Sequence, residues 1–174
     1  MTSEAVTNAG PLLVLSKLNR LSLLAGLYAR VIVPVPVYDE VVGAGRRRGH
    51  EDARTTELFL KQVGWAPEPC PDIPVELRDA PLDRGERAAI AIALKRGSPL
   101  LMDEEAGRTV ARRYGVPVCG SLGVLVQAYR RGLVTEAELR LDFGEMCTRS
   151  DIWISPSLCN RVLERTLSVG LGSA

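Results

Sequence analysis

The sequence predicts an α/β protein, a three-layer α/β/α sandwich with a mostly parallel central sheet. Short apolar segments alternate with longer helical patterns along the chain, and this order places helices on both faces of a parallel sheet. The 174 residues are 46% hydrophobic, which is typical of a folded domain with a real core. Because no linker is long enough to separate domains, we expect one domain over residues 1–174, with the C-terminal helices from about residue 135 as an appendage.

Four short apolar segments are the main candidate strands: residues 5–7, 31–33, 100–102 and 116–119. Pro117 lies in the last segment and indicates an edge strand, because proline cannot donate a hydrogen bond to a neighbouring strand. A further short strand, followed by a connector, is expected within the proline-rich residues 65–74.

Helical patterns fill most of the remaining chain. Asp83 and Glu86 form a capping box in front of a helix that is apolar on every side and should therefore be buried. Pro36 suits the first turn of another helix, and residues 46–50 have the composition of a loop. Further helices are expected at residues 12–24, 51–63, 107–114, 122–131, 136–147 and 156–167.

Composition disfavours several classes of protein. With 22 Lys+Arg against 21 Asp+Glu, the chain is not generally basic. Acidic and basic residues could still form separate clusters at a local site. None of the four cysteines lies in a C-x-x-C pair, and the single histidine, His50, is far from them, which disfavours zinc and histidine-based catalysis. No signal peptide and no apolar stretch of about 20 residues is present, so we expect a cytoplasmic protein without a membrane span.

Polar side chains follow the predicted strands at their carboxyl ends, where parallel sheets bind ligands. Asn8 follows the first strand, Asp103 and Glu104 follow the third, and Ser121 follows the fourth. Helix N-terminal acids and a serine cap are the ordinary explanations for these residues.

Two further acids occupy early turns of helices that could abut the same edge. The capping box is the ordinary explanation for Glu86, and the helix dipole also favours an acid there. Asp39 and Glu40 lie at opposite edges of an apolar stripe, and the helical wheel does not choose between them. Several acids at one end of a sheet repel one another unless a cation lies between them, and oxygen ligands without His or Cys favour Mg²⁺ or Mn²⁺.

Six segments in this order resemble a known family. They are VTNAGPL at 6–12, VPVPVYDEVV at 33–42, GERAAI at 85–90, LLMDEEAGR at 100–108, GSLGVL at 120–125 and DIWIS at 151–155. Over nearly its whole length the chain is similar to PIN-domain proteins, and more narrowly to the prokaryotic branch of predicted nucleic-acid-binding proteins related to VapC-type toxins.

The resemblance implies a Mg²⁺- or Mn²⁺-dependent ribonuclease, a hydrolase that could be the toxin of a toxin–antitoxin pair. Glu40 matches the second acidic position and Glu86 the third, while the fourth falls at Asp103 or Glu104. These four are the expected catalytic residues, and Asn8, Glu86, Asp103 and Glu104 are the expected metal ligands. The first acidic position is Asn8 here, which supplies an oxygen but no charge. A catalytically weak or inactive module that binds RNA or an antitoxin is therefore the alternative.

A Mg²⁺-dependent phosphatase of another α/β family would instead need a nucleophilic aspartate at the position of Asn8.

A nuclease also needs cations that hold the phosphate backbone. The candidates for nucleic-acid binding lie beside the acids in sequence and are Arg84, Arg87, Arg108, Arg112 and Ser121. Solvated surface arginines and an ordinary serine cap are the alternative explanations. Toxin relatives commonly dimerise and pair with a small antitoxin, so the expected partners are RNA, a small antitoxin and a second copy of the chain.

Overall fold

The structure is a computed structural model that describes residues 4–170. The chain divides into two compact units, Met1–Ser121 and Leu122–Ala174. This division lies before residue 135, where the sequence suggested that an appendage begins, and the single-domain organisation stays a prediction.

The first unit is built on a parallel sheet. Its strands are β1 (Ala5–Thr7), β2 (Val31–Ile32), β3 (Leu100–Leu101) and β4 (Val118–Cys119), in the order β2-β1-β3-β4. Each neighbouring pair is parallel, which confirms the predicted sheet. β1 and β3 lie at its centre with fully buried residues. β4 lies at an edge, as Pro117 predicted.

Helices cover most of the rest of this unit. They are α1 (Ala9–Lys17), α2 (Ser22–Leu27), α3 (Val35–Tyr38), α4 (Gly45–Arg47), α5 (Glu51–Val63), α6 (Val75–Arg78), α7 (Arg84–Arg96) and α8 (Glu105–Arg113), with a π-helical segment at Asp39–Ala44 between α3 and α4.

Helix α7 is the buried helix that the sequence predicted. The Glu86 amide donates to Asp83 Oδ1 over 2.7 Å, and the Asp83 amide donates to Glu86 Oε2 over 2.8 Å, so the capping box is present in both directions. Residues 88–93 are buried, and α7 packs against β1 and β3. The first turn of α7 is therefore held in a fixed place beside the carboxyl ends of the central strands.

Three regions differ from the sequence prediction. The helix expected at residues 12–24 is interrupted: α1 ends at Lys17 and α2 begins at Ser22, with Asn19 in the left-handed conformation (φ 56°) between them. The strand expected within residues 65–74 is reduced to Glu68, whose backbone pairs with Val33 and Val35 over 2.8 Å, because the four prolines around it have no amide to donate. The loop expected at residues 46–50 begins as the short helix α4. A side chain at Gly45 would place its Cβ 2.6 Å from that of Ala53, so this glycine lets α4 approach α5 closely.

The second unit is helical. Its elements are α9 (which begins at Ser121 and runs to Arg130), α10 (Glu136–Thr148) and α11 (Pro156–Gly170). Thr135 and Glu138 form a capping box at the start of α10. α10 packs against α11, and Phe143 of α10 and Cys159 of α11 are both buried. Within residues 4–170, no helix is long and apolar enough to cross a bilayer.

Candidate active site

The parallel pairing of β1 with β3 brings Asn8 and Glu104 together. Asn8 follows β1 directly, and its amide donates to Leu101 O over 2.9 Å, which extends the ladder by one bond. Its side-chain nitrogen donates to Glu104 Oε2 over 3.2 Å. Asn8 is 2% exposed, and its Oδ1 is buried without a hydrogen-bond donor among the described residues. A buried amide oxygen without a donor has a free lone pair that a cation could use.

The carboxylates of Glu40, Asp83, Glu86, Asp103 and Glu104 gather around this point, and we call them the acidic cluster. Besides burial, the charges of Asp83, Glu86 and Glu104 raise the pKa of Glu40, and the Glu104 charge also raises the pKa of Glu86 and of Asp103. Glu40 and Glu86 come from the π-helical segment and from the first turn of α7. The structure therefore brings together all four acids that the sequence singled out.

Glycines make room for these carboxylates. A Cβ on Gly10 would lie 3.0 Å from Glu104 Oε1, and one on Gly85 would lie 3.3 Å from Glu40 Oε2. A Cβ on Gly107 would likewise lie 3.2 Å from Glu86 Oε1. Sequence reasoning did not identify these glycines as site residues. The feature of the sequence that could have identified them is their position, within two or three residues of an acid or of Asn8.

Asp83 is the cluster member that sequence reasoning missed. The capping box accounts for Asp83 completely, so the sequence carries no signal of a second role. Its charge is nevertheless the largest cause, after burial, of the raised pKa of Glu40. Partial burial of the Glu40 carboxylate raises its pKa, and the charges of Asp83, Glu104 and Glu86 raise it further. Glu40 has neither a hydrogen bond nor an ion pair within the part of the chain that the structure describes.

Glu86 is 7% exposed, and its two oxygens have different surroundings. Burial raises the pKa of Glu86, the hydrogen bond from the Asp83 amide opposes this, and the charges of Asp83 and Glu104 add to it. Oε2 accepts that hydrogen bond, whereas Oε1 has no donor among the described residues. The capping role therefore leaves one oxygen of Glu86 free.

Both oxygens of Asp103 are engaged by Ser121. The Ser121 amide donates to Oδ1 over 2.7 Å and its hydroxyl donates to Oδ2 over 2.5 Å. The pKa of Asp103 is raised: burial and the Glu104 charge raise it, and they outweigh the two hydrogen bonds and the Arg108 charge, which lower it. The neighbouring Glu104 is exposed, and its Oε1 has no hydrogen-bond donor among the described residues. The two adjacent acids thus differ: Asp103 ties β3 to Ser121, and Glu104 presents a free oxygen.

The predicted cations fall into two groups. Arg87 lowers the pKa of Glu86, and Arg108 lowers that of Asp103, so both lie beside the acidic cluster. Arg108 also donates to Met102 O over 2.9 Å. Arg84 begins α7 and is exposed, whereas Arg112 pairs with Glu105 over 3.4 Å. The charges of Arg87 and Arg108 therefore act on carboxylates of the acidic cluster, whereas Arg112 pairs with an acid outside it.

The donors of this site suit a sparse magnesium or manganese site. Within residues 4–170, no three His, Cys, Asp or Glu side chains are arranged to hold a metal ion between them. Mg²⁺ needs fewer protein ligands than that, because it keeps several waters and takes one or two carboxylates directly. Glu86 Oε1, Glu104 Oε1 and the buried Asn8 Oδ1 are three oxygens without donors, which is the donor type that Mg²⁺ and Mn²⁺ prefer.

Comparison with known protein families is consistent with this geometry. A family model described as a PIN domain matches residues 4–168. No match was found among curated proteins or among solved structures. The family match covers nearly the whole chain, and the parallel sheet with acids beyond its carboxyl ends is the architecture that the sequence predicted. The chain belongs to the PIN-domain family, whose fold is of the nuclease type.

Proposed function

We propose that the protein is a Mg²⁺- or Mn²⁺-dependent endoribonuclease that hydrolyses RNA phosphodiesters at the acidic cluster. The observation that carries this proposal is the meeting of Glu86, Glu104 and the donorless Asn8 Oδ1 at one end of the sheet. Carboxylates whose pKa values are raised by burial and by one another favour a divalent cation between them.

Glu86, Glu104 and Asn8 would hold the ion, and Asp103 would keep the loop after β3 in place through Ser121. When bound, a divalent ion supplies Lewis acidity to the scissile phosphate and makes water a stronger nucleophile at neutral pH. Glu40 has a raised pKa and no hydrogen-bond partner within the described chain, so it is suited to take the proton of the attacking water. The water oxygen forms the new bond to phosphorus as the bond to the leaving oxygen breaks.

Arg87 and Arg108 support a nucleic-acid substrate. Each lies beside one acid of the cluster, where a guanidinium could pair with a phosphate that the carboxylates would otherwise repel. In this proposal the toxin role, the small antitoxin and the homodimer follow from the similarity to VapC-type toxins.

A second candidate is a catalytically weak or inactive PIN domain that binds RNA or an antitoxin. Two observations favour it: Asn8 brings no charge to the site, and residues 4–170 contain no ready-made cage of three acidic, His or Cys ligands.

Cleavage of a mixed RNA pool, with Mn²⁺ and with EDTA, separates the two candidates. The nuclease should cut with Mn²⁺ and stop with EDTA, and calorimetry should show Mn²⁺ binding to the protein alone. The inactive module should show neither Mn²⁺ binding nor Mn²⁺-dependent cleavage.

A further inference from the structure

Three arginines converge on one cleft beside the first turn of α7. The cleft has a volume of about 320 Å³ and is lined by Ile73, Arg78, Arg84 and Arg87. No carboxylate of the described residues lines it. We call it the arginine cleft.

Two of the three guanidinium groups of the cleft donate hydrogen bonds to backbone carbonyl groups. Arg78 Nε donates to Ile73 O over 2.9 Å, and Arg87 Nη2 donates to Ala80 O over 3.1 Å. Arg84 has no hydrogen bond or ion pair in the described chain, and Arg87 Nε is buried without an acceptor. Three like charges in one cleft repel one another, and an anion between them would remove that repulsion.

The arginine cleft adjoins the acidic cluster through α7. Arg84 precedes Gly85, against which the Glu40 carboxylate lies, and Arg87 follows Glu86. The cleft also lies at the N-terminus of this 13-residue helix, whose dipole favours negative charge.

We infer that the arginine cleft binds a backbone phosphate of an RNA strand whose neighbouring phosphodiester lies at the acidic cluster. This inference rests on the proposed nuclease function, since it assigns the cleft to the same substrate. Guanidinium groups match the oxygens of a phosphate. The cleft has no aromatic ring on which a base could stack, so the contact should not depend on base sequence.

The test is binding of a fluorescein-labelled single-stranded oligoribonucleotide in EDTA, followed by fluorescence anisotropy. Arg78→Ala and Arg84→Ala should each weaken binding by about tenfold, the size expected for one charged hydrogen bond. Each should also reduce the slope of log K against log salt by about 0.7. The loss should be equal for oligonucleotides of equal length and different sequence.

Arg54→Ala is the matched control, because Arg54 is exposed on α5 and does not line the cleft. Its binding should be unchanged. Arg78→Ala removes a bond to the backbone and could disturb the loop, so Arg84→Ala, which removes no bond, keeps the test decisive. The inference is overturned if the wild type does not bind the oligonucleotide, if Arg84→Ala binds like the wild type, or if Arg54→Ala weakens binding equally.

Binding in EDTA is measured without cleavage, which separates this inference from the nuclease proposal. If the protein binds RNA through the arginine cleft but does not cut it with Mn²⁺, the inference about the cleft stands and the nuclease proposal is wrong.

Discussion

The side-chain nitrogen of Asn8 donates a 3.2 Å hydrogen bond to Glu104 Oε2, which joins the residue after β1 to the acid after β3. An aspartate at position 8 could not make this bond and would repel Glu104. Asn8 therefore lowers the electrostatic cost of the acidic cluster in the absence of metal, while its side-chain oxygen Oδ1 has no donor among the described residues.

Asn8→Asp should destabilise the metal-free protein and tighten metal binding. Without metal it places a buried charge beside the Glu104 carboxylate, and we expect the free energy of unfolding to fall by about 1–3 kcal/mol. With Mn²⁺ the added charge becomes a ligand, so the thermal unfolding midpoint should recover. Circular dichroism melts in EDTA and in Mn²⁺ measure both effects.

Asn8→Ala serves as the control, because it removes the same hydrogen bond without adding charge. It should not tighten Mn²⁺ binding. An Asn8→Asp protein that is as stable as the wild type in EDTA would contradict the role given to this contact.

Glu86→Gln should weaken Mn²⁺ binding at least about tenfold while the fold persists. Glutamine can still accept the Asp83 amide and complete the capping box, so only the charge is lost. Calorimetric titration with Mn²⁺ measures the affinity, and circular dichroism checks the fold. Glu105→Gln is the comparison variant, because Glu105 is exposed on α8 and pairs with Arg108 and Arg112. Equal Mn²⁺ affinities for the two variants would refute the assignment of Glu86.

Asp103 and Glu104 should respond differently to the loss of charge. Asp103→Asn disturbs a carboxylate that accepts two hydrogen bonds from Ser121, and we expect it to lower the free energy of unfolding by about 1–3 kcal/mol. Glu104→Gln should have little effect on stability and should weaken Mn²⁺ binding. Chemical denaturation and Mn²⁺ titration of both variants distinguish the two roles, and the reverse pattern would make Asp103 the direct ligand.

The acidic cluster should make metal-free stability depend on pH. The pKa values of Glu40, Glu86 and Asp103 are raised in the folded protein. Between the ordinary carboxyl range and these raised values, the folded state binds more protons than the unfolded state, so this part of the stability falls as pH rises. Glu40→Gln removes one of these groups and should raise the unfolding midpoint at neutral pH in EDTA by about 1–3 °C.

That gain should shrink as the pH is lowered through the window in which Glu40 becomes protonated. Glu164→Gln, an exposed acid on α11, should show no comparable gain. A Glu40→Gln melt that matches the wild type at both neutral and mildly acidic pH would show that the repulsion is absent.

The sheet and the position of the acids could be predicted because topology determines them. Parallel strands end at the same edge, so Asn8 and Glu104 had to be neighbours once β1 paired with β3. Pro117 marked the edge strand because of its missing amide. Both predictions follow from the hydrogen bonding of the backbone, which the order of the strands and the position of a proline are enough to indicate.

Side-chain direction could not be predicted. Asp103 and Glu104 are adjacent in sequence, and only the approach of Ser121 shows that the first is held by hydrogen bonds and the second is not. The helical wheel could not choose between Asp39 and Glu40, and the π-helical segment changes the spacing on which that wheel relies. The arginine cleft could not be predicted either, because two of its arginines are positioned by backbone carbonyl groups of irregular segments, which have no recognisable sequence pattern.

The most direct test of the central claim is Mn²⁺-dependent cleavage of a mixed RNA pool by the wild type, Glu86→Gln and Glu105→Gln. If the acidic cluster is the catalytic site, the wild type and Glu105→Gln cut RNA with Mn²⁺, EDTA stops both, and Glu86→Gln loses at least about a hundredfold in rate. Cleavage by Glu86→Gln at the wild-type rate, or a wild type that does not cut with Mn²⁺, would contradict the account.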